Sequence, residues 1–310
     1  MNLTTAVVSC SFLVFSVIGC ILLTCGAAVN LLVICATLRR GSKLRHKANA
    51  LICALAVCDL GSCVALNQVH VNIWFGWLYT TQRFCFFTVA ASIFVGAMGT
   101  VLLLAVSCDR FLVVTWPMKY RTIQPGRYLT FWVGFAFAAG STLLVGGWLA
   151  SSDSKTVLVC SPPEGMHGPS LPLMIGVAAA LFLSILAVNV ATVSKCCKKN
   201  SNNNSAAQRR LGLSVLVISV VYCFTFVAAI VTSGLVQKLV VSRTLASSLL
   251  LYLGLLAYIN VSVNGLIYGL RSKEYRKEYK MVLGLAKPGT QTSTANGKRL
   301  AWTKQQNTIK

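Results

Sequence analysis

The chain has 310 residues, of which 56% are apolar and only 11% charged, with a mean hydropathy of +0.72. A water-soluble domain carries roughly a quarter charged residues, so this composition excludes a soluble exterior and points to lipid as the solvent. The formal charge of +22 does not indicate nucleic acid, because the basic residues lie between long apolar blocks and not along one amphipathic element.

Seven apolar segments, each long enough for a span of roughly 20 residues, occupy about 10–38, 50–73, 86–108, 128–150, 171–194, 211–236 and 245–270. The first has no basic stretch before it, is too long for a cleaved leader, and is followed by Arg39 and Arg40 as a stop-transfer flank, so it is read as a retained span. It carries Asn30, whose amide can hydrogen-bond across to another helix. The second span holds Asp59, the one acidic residue within any span. A carboxylate at that depth costs about 2.5–3.5 kcal/mol, which points to a function; the plain alternative is a neutral Asp hydrogen-bonded between helices. Cys85 precedes the third span, which closes on Asp109, Arg110 and Phe111 and is followed by Trp116, Pro117 and Tyr120. The 24 residues from Cys85 to Asp109 rise about 36 Å as a helix. The two therefore lie on opposite sides of the membrane, with Cys85 on the oxidising side, where a disulfide persists.

The fifth span contains Asn189, the sixth Cys223, Phe224, Thr225 and Phe226, and the seventh Asn260, Asn264, Gly265 and Tyr268. Residues 271–283 are amphipathic, with Tyr275, Tyr279, Val282 and Leu283 among basic residues, as in a helix lying on a membrane. Residues 284–310 read as a disordered tail and residues 1–9 as a short leading segment, with a glycosylation sequence at Asn2-Leu3-Thr4. Cys196 and Cys197, beyond the fifth span, suit either palmitoylation or packing.

Lys and Arg bias sets the orientation. Of the 28 basic residues, only Arg83, Lys155, Lys238 and Arg243 fall on the side of the N-terminus. The expected topology has the N-terminus outside and the C-terminus in the cytoplasm, with the basic inner face attracted to anionic lipid.

These motifs, in this order and at these ends of seven spans, resemble the rhodopsin-like G-protein-coupled receptors over about residues 12–283. The resemblance implies an all-α membrane protein, a bundle of seven transmembrane helices over 10–270 followed by a short interfacial helix. It implies coupling to a heterotrimeric G protein through Asp109, Arg110, Phe111 and Tyr268. It also implies a polar core of Asn30, Asp59, Asn260 and Asn264 that in this family can bind sodium, and a Cys85–Cys160 disulfide. The ligand pocket would use Ser92, Phe224, Phe226 and Tyr258, and the protein would sit in the plasma membrane, with neither a cofactor nor a structural metal. Gly265 in the seventh span and the basic stretch of residues 39–45 are most similar to the melatonin-receptor branch.

The sequence also departs from the family. Phe224 stands where a toggle Trp is usual, the sixth-span proline is missing, and Gly265 replaces the proline of the seventh span. Trp132, displaced, or Phe137 takes the place of the fourth-span Trp. No acid precedes the sixth span to lock Arg110. These losses bear on activation more than on fold and admit a receptor with constitutive or lost coupling. Ser92 and Tyr258 occupy the places of the amine-binding Asp and the retinal-binding Lys, so the ligand is expected to be neither an amine nor retinal, but a small uncharged or weakly polar molecule or a short peptide. A transporter would show paired halves with broken helices. A membrane enzyme would need a cluster of His or carboxylates, whereas His46, His70 and His167 are scattered.

Overall fold

The computed structural model describes residues 3–39, 42, 47–76, 80–157, 159–166, 170–198, 220–221, 225, 228–240 and 242–286. The helices in chain order are α1 (Leu3–Leu38), α2 (Lys47–Trp74), α3 (Gln82–Thr115), α4 (Pro117–Thr122), α5 (Pro125–Ala150), α6 (Pro162–Gly165), α7 (Ser170–Lys198), α8 (Ala228–Leu239), α9 (Arg243–Arg271) and α10 (Lys273–Val282). Two short strands, β1 (Thr80–Thr81) and β2 (Thr156–Val157), pair antiparallel, Thr80 opposite Val157 and Thr81 opposite Thr156. Among the described residues, six helices, namely α1, α2, α3, α5, α7 and α9, are long and apolar enough to cross a membrane. The sixth expected span, 211–236, lies mostly outside the described residues, and α8 covers its last part. The fold is an all-α bundle of seven membrane-spanning helices with a short helix after the last.

Local chemistry sets the helix starts. Thr81 caps α3 by accepting from the Phe84 N–H, and Ser242 caps α9 by accepting from Leu245; each supplies an acceptor for an otherwise unpaired N–H. Pro117 and Pro125 open α4 and α5, where a missing N–H removes no helical bond. The first helix begins at Leu3, seven residues before the apolar run that marks the span, because nothing in Leu3–Ser9 breaks a helix even though it is less apolar.

The buried share of each span's most apolar window separates centre from rim: 56% for α3 and 50% for α2, but 17% for α5 and 11% for α7. The exposed faces of the rim helices carry Phe131, Phe135, Leu149 and Leu183, apolar surface suited to lipid tails. Inside, α3 packs on α2, α5 and α7, while α1 closes the ring by packing on both α2 and α9.

The closure is unusually tight. A Cβ placed on Gly26 would lie 2.3 Å from Ser262 Oγ, one on Gly19 would lie 2.3 Å from His70 Cε1, and one on Gly265 would lie 2.7 Å from Val29 Cγ1. Real Cβ atoms do not approach that closely, so these three positions are glycines because the helices nearly touch, the small-residue packing of membrane interfaces. This explains the missing proline of the seventh span: at position 265 α9 has no room for a ring.

Candidate functional site

Two apolar clusters stack along the bundle. One surrounds Cys85, Phe86, Val89, Ile93, Cys160 and Tyr258, the other Leu102, Leu103, Val106, Tyr268 and Tyr275. Between them runs a polar layer. Asn264 donates from Nδ2 to Asp59 Oδ2 at 2.8 Å, and Asn30 donates to the Val261 carbonyl at 2.9 Å. All three side chains are buried. Gly99 faces the same carboxylate, since a Cβ there would lie 3.7 Å from Asp59 Oδ1. Asn260 is buried too, but its Oδ1 has no hydrogen-bond partner among the described residues. Asp59 and Asn264 thus meet directly, whereas Asn30 and Asn260 serve the layer separately.

At one end of α3, Asp109 is buried and its Oδ1 accepts from the Tyr120 hydroxyl of α4 at 2.7 Å. Burial and the bonded carboxylate both push the Tyr120 hydroxyl up, so it remains a donor at any ordinary pH. Arg110 follows, partly buried, its Nε without a partner among the described residues. One turn earlier, Asn189 of α7 donates to Ser107 Oγ at 3.2 Å. Phe111 stacks edge-on with Trp116. Tyr268 is buried and stacks on Tyr275 at 5.7 Å between ring centroids.

Tyr275 belongs to α10, the short helix expected over 271–283. Its aromatic face turns into the bundle: Tyr275 is buried, and Tyr279 donates to the Gly265 carbonyl at 3.0 Å. Glu278 is buried in an ion pair with Arg39 of the chain just after α1, at 2.9 Å. Burial pushes both tyrosine hydroxyls up. The helix runs over Lys273–Val282, inside the expected 271–283, and Leu283 of the expected apolar face is exposed.

At the other end of α3, Cys85 and Cys160 form a disulfide with a Cα–Cα distance of 5.2 Å. It holds the α5–α7 connection across the bundle. The β1–β2 pair and the Arg83–Asp153 ion pair hold the same loop, and the Arg83 guanidinium lies 5.2 Å above the Trp148 ring. Below lies a cavity of about 160 Å³, walled by α2, α3, α5, α7, α8 and α9 and by Ser161, Pro162 and Pro163. Ser92 and Tyr258 are on its wall. Phe224, Phe226 and Asn2 lie outside the described residues.

Residues 23–283 match the family described as serpentine type 7TM GPCR chemoreceptor Srsx. The chain belongs to the serpentine seven-transmembrane G-protein-coupled receptors. The receptor is also 24% identical over 301 residues to galanin receptor 2a of Danio rerio, covering 88% of this chain and 78% of that one. Neither match is to the melatonin-receptor branch. The family fixes the general activity: a multi-pass membrane receptor for an extracellular ligand, with a G protein as its partner.

Several contacts of this receptor have no counterpart in the sequence reading. Tyr120 stands in the stretch after Arg110, and its bond to Asp109 spans 11 residues. His70 is fully buried, with no hydrogen bond to either ring nitrogen among the described residues, and packs on Phe15 and Tyr258 at 5.3 and 5.5 Å. For the fourth-span tryptophan, Trp132 packs against the core whereas Phe137 is exposed, so Trp132 is the inward-facing side chain.

Proposed function

We propose that the receptor lies in the plasma membrane with the disulfide end outside, that its ligand occupies the cavity below the tied loop, and that Arg110, with Asp109, Phe111 and Tyr268 around it, engages the G protein at the inner end. The observation that supports this most is the placement of both features on one helix, with Ser92 on the cavity wall and Asp109-Arg110 at the far end of α3. A helix packed on this many neighbours transmits a displacement to its other end. The Lys and Arg bias supports the orientation, and the exposed Lys273, Arg276 and Lys277 of α10 suit anionic lipid at the inner surface.

The ligand is neither an amine nor retinal, since Ser92 offers no carboxylate to an ammonium group and Tyr258 no amine for a Schiff base. An ammonium group buried without a partner would be costly. The name of the matched family supports a chemical ligand, and the matched relative makes galanin one of the compounds to screen. The polar layer fits sodium poorly: Gly99 contributes no oxygen beside Asp59, and Asn264 presents its amide NH₂. No step is assigned to a cation.

The test is Arg110→Ala. The variant is expected to reach the cell surface and to lose G-protein activation, measured as nucleotide exchange in membranes. Surface-exposed Arg110→Ala with wild-type exchange would refute the assignment.

A further inference from the structure

We propose that Asn189 is a positioning residue for coupling: its bond to Ser107 latches the inner half of α7 to α3 in the unliganded receptor. This rests on the cavity as the ligand site and on Arg110 as the coupling residue. The seam between the two helices comes first. Past the cavity, α7 buries Ile185, Asn189 and Thr192 and turns Leu183 and Val190 outward. Buried positions four and then three residues apart make one narrow stripe along a helix, and α3 is the neighbour it meets. Of the six described spans α7 is the least buried, so few contacts hold it in place.

The centre of the stripe is polar on both sides. Asn189 and Ser107 are both buried, where an amide is costly without a partner. Ser107 donates its hydroxyl hydrogen to the Leu103 carbonyl at 3.0 Å, and its Oγ accepts from Asn189 Nδ2 at 3.2 Å. Apolar packing is non-directional and lets one helix turn or slide on another. A hydrogen bond weakens steeply with angle and distance, so this one fixes the rotation and depth of α7 on α3. Thr192 differs, because its hydroxyl donates to the Val188 carbonyl of its own helix at 2.7 Å.

The same two helices join the cavity to the coupling end. Met174, Val177, Ala178 and Leu181 of α7 line the cavity. Asn189 stands eight residues beyond Leu181, about 12 Å further along the helix. The one proline of α7, Pro172, lies in its first turn, so no proline kink separates the two halves. On α3, Ser107 comes three residues before Arg110. A ligand that shifts the outer half of α7 therefore pulls on a bond one turn from Arg110, and release of that bond frees α7 from α3 beside the coupling residue.

The experiment uses the full-length receptor in lipid nanodiscs without ligand. It reads GTPγS uptake by purified heterotrimers of the inhibitory, stimulatory and phospholipase-coupled classes, together with amide hydrogen exchange over residues 185–196. Asn189→Leu is expected to raise uptake about threefold and at most about twentyfold, the range for one hydrogen bond between membrane helices, and to speed amide exchange over that stretch. Ser107→Ala should raise uptake as well, yet add nothing in the Asn189→Leu background. Thr192→Val, which breaks no bond between the helices, should match wild type in both measurements. The proposal is overturned if uptake stays level or falls in Asn189→Leu and Ser107→Ala, if the two effects add, or if Thr192→Val raises uptake as much. Should Asn189→Leu fail to fold, Ser107→Ala decides by the same criterion. Where no heterotrimer responds, amide exchange decides, and unchanged protection of 185–196 overturns the proposal. Arg110→Ala in the same preparation keeps the two readings apart. Wild-type uptake in that variant beside raised uptake in Asn189→Leu would count against the coupling residue and leave the latch standing.

Discussion

The two ends of the receptor are held together by different kinds of bond. At the disulfide end one covalent link, a strand pair and an ion pair stacked on Trp148 tie the α5–α7 loop to α3. At the Arg110 end the ties among the described residues are reversible: the Tyr120–Asp109 hydrogen bond, the Tyr268–Tyr275 stack and the Arg39–Glu278 pair. A mouth that must hold its shape is fastened once. On the proposed function the Arg110 end is the face that exchanges partners, and the contacts named there are non-covalent and individually worth only a few kcal/mol at most.

The sharpest way to break this contrast is to cut the covalent tie. Cys85→Ser with Cys160→Ser is expected to cost about 2–5 kcal/mol and to remove most folded receptor from the surface, checked by antibody labelling and thermal denaturation. Next in size is Gly265→Pro, which restores the family's usual residue. It should destabilise by about 3 kcal/mol or more, through the lost N–H and a ring driven into Val29 and Val33. A wild-type midpoint for this variant would mean that the α1–α9 contact is not what excludes proline.

The reversible end should yield smaller changes that appear in signalling before stability. Tyr120→Phe removes a donor from the buried Asp109 and is expected to raise unliganded nucleotide exchange by at most about tenfold. Because burial and Asp109 raise the Tyr120 hydroxyl above its usual range, the neutral donor and its contribution are fully present below the ordinary tyrosine value. They are lost only at still higher pH. The difference between wild type and Tyr120→Phe should therefore be constant from about pH 6 to 9; a difference that vanishes inside that window would argue against the hydrogen bond. Smallest is Glu278→Gln: Arg39 is 27% exposed and can turn to water, so the loss should be about 1 kcal/mol or less, read as a lower midpoint with surface expression intact.

The bundle and its span count were legible in the sequence because each rests on a one-dimensional signal, apolar run length or charge bias; helix rise placed Cys85, while its pairing with Cys160 was legible only through the family resemblance. Asp59 was legible for a related reason, since an acid in an apolar run is conspicuous by itself. What could not be read were pairings that depend on how helices face one another. Asn30 reaches a carbonyl 231 residues away and Arg39 a carboxylate 239 away, and no local pattern encodes either. The amphipathicity of residues 271–283 was visible, but a face of two tyrosines can seek lipid or protein equally well. Only the position of Tyr268 and the bare backbone at Gly265 and Gly269 make it protein: a Cβ on Gly269 would lie 2.6 Å from the Tyr279 ring. The absent proline was likewise visible, while its cause, the approach of Val29, was not.

Ser272 carries a mechanical consequence. It is the single residue between α9 and α10, and it serves both: its N–H bonds back to the Tyr268 carbonyl, and its Oγ accepts from the Tyr275 N–H. A joint of one residue, bonded on each side, has no slack. A turn or slide of α9, whose wall residue Tyr258 borders the cavity, must carry α10 with it like the short arm of a bell crank. That arm ends on Arg39, so motion beginning at the last helix is delivered to the foot of the first.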